Sequence, residues 1–435
     1  MKLFREMRKK SKETENEENE SFSQRIGQFF STEPLKEKVL QHEDFNAAGD
    51  AYYANVSAAY KVAQRILWLF FVFFMVLTIV LNYRHITYDN FFYLIKDISG
   101  AAQAGTSQYE TLSYESDSRQ NFVLYRGGVA TVSPAKLSIF TATGRRTLNA
   151  PSSYSSPYVI SSNKYVMVYD TSGTTFSLYN TFSRVHTETL DYPITNAHIA
   201  SDGSFVIVTR TADSRAMIYL YNKNFKRVAE IRGDYYVFDV VMSAEQKQMA
   251  LLTYDIGQGT GCTTLSVYDL SKMEKEKEIT KIEQLDYQGE FPLACGFLEN
   301  NNFAMLTDRC IRILDGDYDI KEISDDYSGG NMTGYHLNEA GVAVCYTDSS
   351  RNSVIAFDKS GNMLYNDFVA YTVSDVAVYE EYVFLQTEQG VTRVYAPKGT
   401  EEHLPAGQGK LLIYNADTAL VCGESKAEYL IFKNR

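Results

Sequence analysis

The chain has 435 residues, more than one ordinary domain needs, and 45% of them are apolar, ample for a sizeable core. Residues 1–65 carry 11 basic and 11 acidic residues, so the net charge of −12 arises entirely from the remainder. An acidic domain repels phosphate backbones, which argues against nucleic acid as a partner.

The N-terminal region divides into a tail and a helix. Residues 1–44 are predicted to form a charged, disordered tail, because the stretch KETENEENE is low in complexity. Residues 45–65 contain many alanines and no proline, so a helix that leads into the apolar run after them is predicted over residues 45–85.

The uncharged run from Ile66 to Tyr83 predicts a transmembrane span within this helix. Its 18 residues correspond to about 27 Å of helix, close to the ~30 Å hydrocarbon thickness of a bilayer. Arg65 and Arg84 bracket the run, which favours a span over a buried core helix. The run starts too late for a cleaved signal peptide, and bulky residues follow it. We therefore expect a retained signal anchor and a bilayer as one partner.

The charge of the N-terminal tail predicts the orientation of the span, because Lys61 and Arg65 on one side and Arg84 and Lys96 on the other give only a weak bias. The first twelve residues, MKLFREMRKKSK, are strongly basic and favour a cytoplasmic N-terminus. This places the protein in the cell membrane, with the C-terminal domain extracellular.

Residues 86–108 are predicted to form a stalk helix and a linker. Phe91, Phe92, Ile95 and Ile98 recur at helical spacing on one face, and the small-residue stretch GAAQAGTSQ follows.

From residue 109 to residue 435 the sequence predicts an all-β domain built from repeats. One strand pattern occurs eight times, 37 to 47 residues apart, as LSIFT, FSLYN, IYLYN, LSVYD, IRILD, VIAFD, TRVYA and YLIFK. That spacing fits four short strands and their turns, the size of one propeller blade. We therefore predict an eight-bladed β-propeller, with seven blades as the alternative and a pair of β-sandwiches as a more distant one.

The two ends of this domain are expected to close the ring. The last repeat ends too early for a fourth strand, and the segment Tyr109–Ser116 lies before the first repeat. We expect this segment to complete the last blade and remove an exposed sheet edge.

The sequence contains no motif that identifies a catalytic, cofactor or metal site. The loop Gly257–Gly261 resembles a nucleotide-binding turn but lies between two predicted strands, so we predict a hairpin. Asp315, Asp317 and Asp319 resemble a calcium loop that lacks its glycine and final glutamate, which favours a plain turn. The adhesion tripeptide Arg232-Gly233-Asp234 is treated as a chance match at a strand end.

The cysteines and histidines are scattered. The five cysteines, which all follow the span and form no CxxC, are interpreted as small buried strand residues, with an interstrand disulfide left open. No histidines pair at metal-ligand spacing, although His198 and His336 occupy comparable places in their repeats.

The repeats resemble β-propellers of the WD40-like and quinoprotein-like group. The segment HIASDGSFVIVTR, from His198 to Arg210, is similar to a strand turn of such blades, but no copy ends in Trp-Asp. The single Trp, Trp68, lies in the span, so the resemblance implies no quinone cofactor. The whole layout resembles an uncharacterised family of single-pass, membrane-anchored β-propellers of Gram-positive, clostridia-like bacteria. That resemblance carries over no activity and no site residue.

Three functions are compatible with this sequence. The favoured one is a binding or scaffolding module at the cell envelope, acting on a protein or glycan partner through the loop-rich faces of the propeller. An envelope glycan-active enzyme would instead need paired carboxylates in the propeller channel. A transmembrane ligand sensor would relay binding to the tail.

Overall fold

The computed structural model describes residues 50–81 and 111–433, except residues 116, 118, 142–143, 258 and 350. The chain forms two compact units, which divide between Gly105 and Thr106. The predicted tail, residues 1–44, and the predicted stalk and linker, residues 86–108, lie outside the described residues.

Helix α1, Asp50–Leu81, dominates the described part of the first unit. Its segment Ala59–Thr78 has a mean hydropathy of 1.7 and is long and apolar enough to cross a membrane. The large apolar side chains from Ile66 to Leu77 expose between 40 and 70% of their surface. Such a surface is stable in an apolar surrounding rather than in water. The last two residues of the predicted span, 82 and 83, are not among the described ones.

The second unit is a ring of eight four-stranded antiparallel sheets, which confirms the eight-bladed prediction. Blades 1 to 4 consist of strands β2 (Asn121–Tyr125), β3 (Gly128–Val132), β4 (Lys136–Phe140), β5 (Arg146–Pro151); β6 (Pro157–Ser161), β7 (Val166–Asp170), β8 (Thr175–Tyr179), β9 (Arg184–Thr189); β10 (Ile194–Ile199), β11 (Phe205–Thr209), β12 (Ala216–Tyr221), β13 (Arg227–Gly233); β14 (Tyr236–Ser243), β15 (Gln248–Gly257), β16 (Thr260–Asp269) and β17 (Thr280–Gln288).

Blades 5 to 8 complete the ring. They consist of β18 (Pro292–Phe297), β19 (Phe303–Thr307), β20 (Ile311–Leu314), β21 (Ile320–Ile323); β22 (Asn331–Asn338), β23 (Gly341–Asp348), β24 (Arg351–Asp358), β25 (Met363–Val369); β26 (Asp375–Tyr379), β27 (Tyr382–Thr387), β28 (Gly390–Tyr395), β29 (Thr400–Pro405); and β30 (Lys410–Asn415), β31 (Thr418–Cys422), β32 (Lys426–Ile431) with β1 (Thr111–Ser113). A one-turn helix α2, Met273–Glu276, and a 3-10 turn, Glu299–Asn301, are additions that the sequence patterns did not predict.

The ring is closed by β1, as expected. Leu112 pairs with Ala427 of β32, so a strand from the start of the domain forms the outer edge of the last blade. Leu112 is only 4% exposed, and it packs in the core between blades 8 and 1. The first strands of all eight blades contact their neighbours in sequence, and β30 of blade 8 contacts β2 of blade 1.

The core consists of separate hydrophobic clusters, one at each of the eight blade interfaces of the described ring. Residues that alternate along a strand point to opposite faces of the sheet, so each blade contributes to two clusters. In blade 1, Ile139 faces blade 2 and Phe140 faces blade 8. Each blade is therefore held by apolar contacts on both of its faces.

The repeated sequence pattern marks a β-bulge in blades 1 to 6. The register between the third and fourth strands shifts at the third and fourth residues of the pattern, for example between Leu220 and Tyr221. Blade 7 lacks this bulge, and in blade 8 the described pairing of β32 with β1 ends at Glu428, before the pattern. There the predicted alignment was wrong by one residue: Val394 packs toward blade 6, and Ile431 is 50% exposed.

Candidate functional site

One end of the ring carries the most distinctive surface. Antiparallel pairing puts the start of the first strand, the end of the second, the start of the third and the end of the fourth at the same end of each blade. We call this end the entry face. It holds the loops between second and third strands and the loops that lead into the next blade.

Blade 4 projects furthest at the entry face. Strands β15 and β16 have 10 residues each, more than any other described strand. Because β14 begins at Tyr236, opposite Tyr254, the residues Asp255 to Gly257 extend beyond it. Near the tip of this hairpin, Ile256 is 69% exposed.

Four aromatic residues lie at the base of the hairpin, and we call Tyr236, Phe238, Tyr254 and Phe291 the aromatic cluster. The ring centroid of Phe238 lies 4.8 Å from that of Phe291, and both rings meet Tyr254 edge to face, at 5.9 and 5.1 Å. Tyr236, Phe238 and Phe291 nevertheless expose 40, 37 and 39% of their surface. A group of large rings is thus preassembled at the surface and remains open to a partner.

A bulge explains why Phe238 points outward. The register between β14 and β15 shifts between Val237 and Asp239, so Phe238 is the extra residue of the bulged strand. Bulges commonly redirect a side chain away from the alternation of the strand.

A buried ion pair fixes the loop that carries Phe291. Glu290 accepts hydrogen bonds from both terminal nitrogens of Arg312, at 2.6 and 2.5 Å, and from the hydroxyl of Thr307 at 2.9 Å. Glu290 and Arg312 are 8 and 7% exposed. The next residue, Phe291, donates its amide to the Asp308 carboxylate at 2.8 Å and accepts the amide of Asp308 at 2.9 Å. Phe291 is therefore held on a rigid support.

Two arginines of blade 3 stack against the other side of the cluster. The guanidinium groups of Arg210 and Arg215 lie 5.7 and 5.1 Å from the ring centroid of Tyr236. Arg215 also donates to Asp255 at 2.7 Å, which ties the hairpin of blade 4 to blade 3. Arg210 is exposed and has no carboxylate within ion-pair distance in the described part of the chain.

The channel of the ring contains a second group of polar side chains. Tyr158 of blade 2 and Tyr335 of blade 6, which stand on opposite sides of the ring, are 45 and 43% exposed. Burial raises the pKa of Asp239 of blade 4 to about 6. The pKa values of Tyr158 and Tyr335 are raised first by burial and second by the charge of Asp239. The three side chains therefore share one region of the channel.

Side chains on the first strands connect neighbouring blades. The amide nitrogen of Asn121 donates to the carbonyl of Pro157 in blade 2, and that of Asn196 donates to the carbonyl of Phe238 in blade 4, both at 3.0 Å. His198, whose pKa burial lowers to about 4, accepts the amide of Met242 on Nδ1 at 3.1 Å. These bonds hold adjacent blades together around the channel.

The two channel carboxylates with raised pKa values have the same structural role. Asp239 accepts the amide of Val240 on one oxygen and the amide of Cys295 in blade 5 on the other, both at 2.9 Å. Asp375, whose pKa is raised by burial, accepts the amide of Val376 at 2.9 Å. Neither carboxylate is among the charges that shift the pKa of the other. They lack the mutual coupling that a catalytic pair sharing a proton shows.

The motifs singled out from the sequence are turns. Gly257 pairs with Thr260, so the glycine-rich loop is the tip of the blade 4 hairpin, as predicted. The Asp315 carboxylate accepts the amides of Asp317 and Asp319, each at 3.0 Å, which is the geometry of a plain turn. The Arg232-Gly233-Asp234 tripeptide ends β13, and its glycine is buried.

Cysteines and histidines do not form a site. All five cysteines are free. Cys295, Cys345 and Cys422 are buried strand residues as interpreted, whereas Cys262 is only partly buried and the buried Cys310 lies in the turn before β20. His198 and His336 do occupy comparable positions, on the first strands of blades 3 and 6, whereas His85 lies outside the described residues. Among the residues that the structure describes, no group of three or more His, Cys, Asp or Glu side chains is placed to hold a metal ion.

The aromatic cluster was not predicted from sequence. Three of its members, Tyr236, Phe238 and Tyr254, lie on the first two strands of blade 4, and Phe291 lies in the loop to blade 5, so the cluster is complete only because these two blades are adjacent. The one local signal was the length of the two strands around Gly257–Gly261, together with the run of aromatic residues in DYYVF at Asp234–Phe238.

These features define the class: an all-β, eight-bladed propeller preceded by one helix that is apolar enough to span a membrane. Residues 103–403 match the model of a family of unknown function, DUF5711, and the chain belongs to that family. No curated protein matches the sequence.

Solved structures support the fold. BamB from Moraxella catarrhalis aligns with a TM-score of 0.51 and 10% identity, covering 76% of this chain and 98% of that one. A structure described as the eukaryotic initiation factor aligns with a TM-score of 0.50 and 12% identity, covering 73% and 90%. The Dos1 propeller aligns with a TM-score of 0.50 and 8% identity, covering 74% and 96%. At these identities the similarity establishes the propeller fold alone.

Proposed function

We propose that this protein is a membrane-anchored binding module that holds a protein partner at the cell envelope through the entry face of its propeller. Helix α1 would anchor the chain as a single-pass protein with a cytoplasmic N-terminus. The observation that carries the proposal is the aromatic cluster, whose large rings are exposed although they are rigidly supported.

The composition of this surface supports a protein partner. Tyrosine, phenylalanine and arginine are enriched at the centres of protein interfaces, and a few such residues usually supply most of the binding energy. Phe238 and Phe291 pack edge to face. Phe238 is held by the bulge of β14 and Phe291 by the loop of the ion pair, so little side-chain entropy is lost when a partner covers them. A glycan remains the alternative partner, since aromatic faces also stack on sugars.

Site-specific photocrosslinking in intact cells tests the proposal. A photoreactive phenylalanine at position 238 should give one discrete crosslinked product, whereas the same residue at Ile320 should give none. Ile320 is a suitable control because it is 55% exposed on the outer strand of blade 5, away from the entry face.

A paired-variant experiment measures the contribution of the cluster. Phe238→Ala combined with Phe291→Ala should weaken partner binding by about 2–4 kcal/mol. Ile320→Ala combined with Met363→Ala should leave it unchanged, because both exposed residues begin fourth strands, at the end of the ring opposite the entry face. Equal crosslinking from positions 238 and 320, or equal binding by both double variants, would contradict an entry-face site. A crosslinked product that glycosidases shorten would identify a glycan instead.

Orientation is tested separately. Protease added to cells stripped of their wall should digest the propeller and spare an N-terminal tag. Digestion of the tag alone would reverse the proposed topology.

A further inference from the structure

We infer that the entry face recognises an extended segment of its partner protein in which a carboxylate lies next to an apolar side chain. This inference rests on the proposed function and specifies the chemistry of the partner. The apolar side chain would cover Phe238 and Phe291, and the carboxylate would pair with Arg210.

The charge argument starts from the different situations of the two arginines above Tyr236. Arg215 is satisfied, because it donates to the Asp255 carboxylate at 2.7 Å and to the carbonyl of Asp234 at 3.3 Å. Within the described part of the chain, the Arg210 guanidinium makes only the cation–π contact with the Tyr236 ring, at 5.7 Å, while its backbone amide donates to the carbonyl of Pro193. Its planar group of donors is therefore oriented by the ring and still available to a carboxylate.

The Arg210 guanidinium lies next to the aromatic cluster. The same Tyr236 ring that orients Arg210 pairs across the sheet with Tyr254, which packs against Phe238 and Phe291. A cationic group and an apolar surface are thus separated by the width of about two side chains. Residues i and i+2 of one extended segment span such a distance, because their side chains point to the same face. A charge-assisted contact beside a desolvated aromatic group is stronger than one in open water.

The shape of the blade 4 hairpin favours an extended segment over a bulky surface. The hairpin stands above the rest of the face, with Ile256 exposed near its tip. On the channel side, β14 begins only at Tyr236, so the residues Asp255 to Gly257 of β15 have no neighbouring first strand there. A segment lying along this side would contact Ile256 on one flank and the aromatic cluster beneath it.

The overall charge of the chain works against non-specific binding of acidic partners. With a net charge of −12, the protein repels acidic chains at low ionic strength. An acidic residue is therefore accepted only where a local cation compensates, and at the described entry face next to the cluster that cation is Arg210.

Peptide selection on the intact protein tests this inference. The full chain, in detergent micelles, is used to select from a displayed library of random 16-residue peptides, and the selected peptides are then synthesised. We expect them to contain Asp or Glu within one or two positions of a large apolar residue. Glu→Gln versions of these peptides should bind at least ten-fold more weakly.

Variants of the protein separate the two parts of the inference. Arg210→Ala should weaken the binding of the acidic peptides at least five-fold and remove most of the salt dependence of that binding. The Arg210→Glu variant should instead select peptides that contain Lys or Arg. Arg145→Ala is the matched control, since Arg145 is an exposed arginine at the opposite end of blade 1. Circular dichroism confirms that each variant is folded.

The possible results are distinguishable. Selected peptides without acidic residues, or equal binding by Arg210→Ala and Arg145→Ala, overturn the inference about the carboxylate. If, in that case, the double variant Phe238→Ala/Phe291→Ala still binds the partner protein more weakly, the proposed function stands. Failure to select any peptide overturns the inference of an extended segment, while crosslinking at position 238 tests the proposed function independently.

Discussion

The buried pair of Glu290 and Arg312 offers the sharpest test of how the entry face is supported. Replacing Glu290 with Gln keeps the size of the side chain but leaves the Arg312 guanidinium, only 7% exposed, without its counter-charge. Three hydrogen bonds end on the Glu290 carboxylate, two of them from Arg312. Breaking one partner of such a buried pair costs about 3–5 kcal/mol, because the remaining charge is desolvated and uncompensated.

The assay is urea unfolding of the full chain in detergent, followed by far-ultraviolet circular dichroism. Glu299→Gln is the control, since Glu299 pairs with Lys359 at 3.1 Å while both side chains are about half exposed. We expect that variant to lose less than about 1 kcal/mol. Replacing both Glu290 and Arg312 with Met should recover most of the loss, because no unpaired charge then remains. Equal stability of Glu290→Gln and Glu299→Gln would refute the reasoning.

Three further predictions concern the ring. The pKa of Asp239 is raised by burial to about 6, so this group stabilises the folded state below about pH 4 and loses that contribution as the pH rises through 6. The stability of the wild type relative to Asp239→Asn should therefore fall by about 2 kcal/mol between pH 4 and pH 7, and a flat difference would contradict the raised pKa. Arg393 is 6% exposed and donates to Glu402, Asp417 and two carbonyls near the ring closure. Arg393→Met should therefore lower the unfolding free energy by about 2–3 kcal/mol, and an unchanged urea midpoint would contradict this. Burial raises the pKa of Cys295 and Cys345, so alkylation should label these thiols only at the rate of unfolding, and rapid labelling in buffer would show that the blades are open.

The eight-bladed ring could be predicted because its evidence is periodic. The third strand of each blade must present one apolar residue to each neighbouring blade, and a bulge between the third and fourth strands fixes the two positions in blades 1 to 6. This constraint repeats along the chain and is visible without any structure. The alignment was wrong by one residue in blades 7 and 8, where Arg393 and Tyr429 take the places expected for aliphatic residues, and blade 7 lacks the bulge.

The candidate site could not be predicted because its geometry depends on contacts between blades. Phe238 and Phe291 are far apart in the sequence and meet only because blades 4 and 5 are adjacent. The outward direction of Phe238 follows from a bulge in β14 that no residue pattern announced. In the same way, the raised pKa of Asp239 looks like a catalytic signal until the amide of Cys295 in the next blade is seen to occupy one of its oxygens.

The closed ring is the central claim, since the entry face exists only if the blades are arranged in this order. In the structure Ser113 of β1 lies directly opposite Lys426 of β32, although they are 313 positions apart in the sequence. The most direct test is a short thiol crosslinker applied to a variant that combines Ser113→Cys, Lys426→Cys and Cys262→Ser, because opposite residues place their Cβ atoms about 5 Å apart. We predict an intramolecular crosslink in most molecules, and none when Lys359→Cys replaces Lys426→Cys. Equal crosslinking of the two variants, or failure of both, would contradict the closed eight-bladed ring.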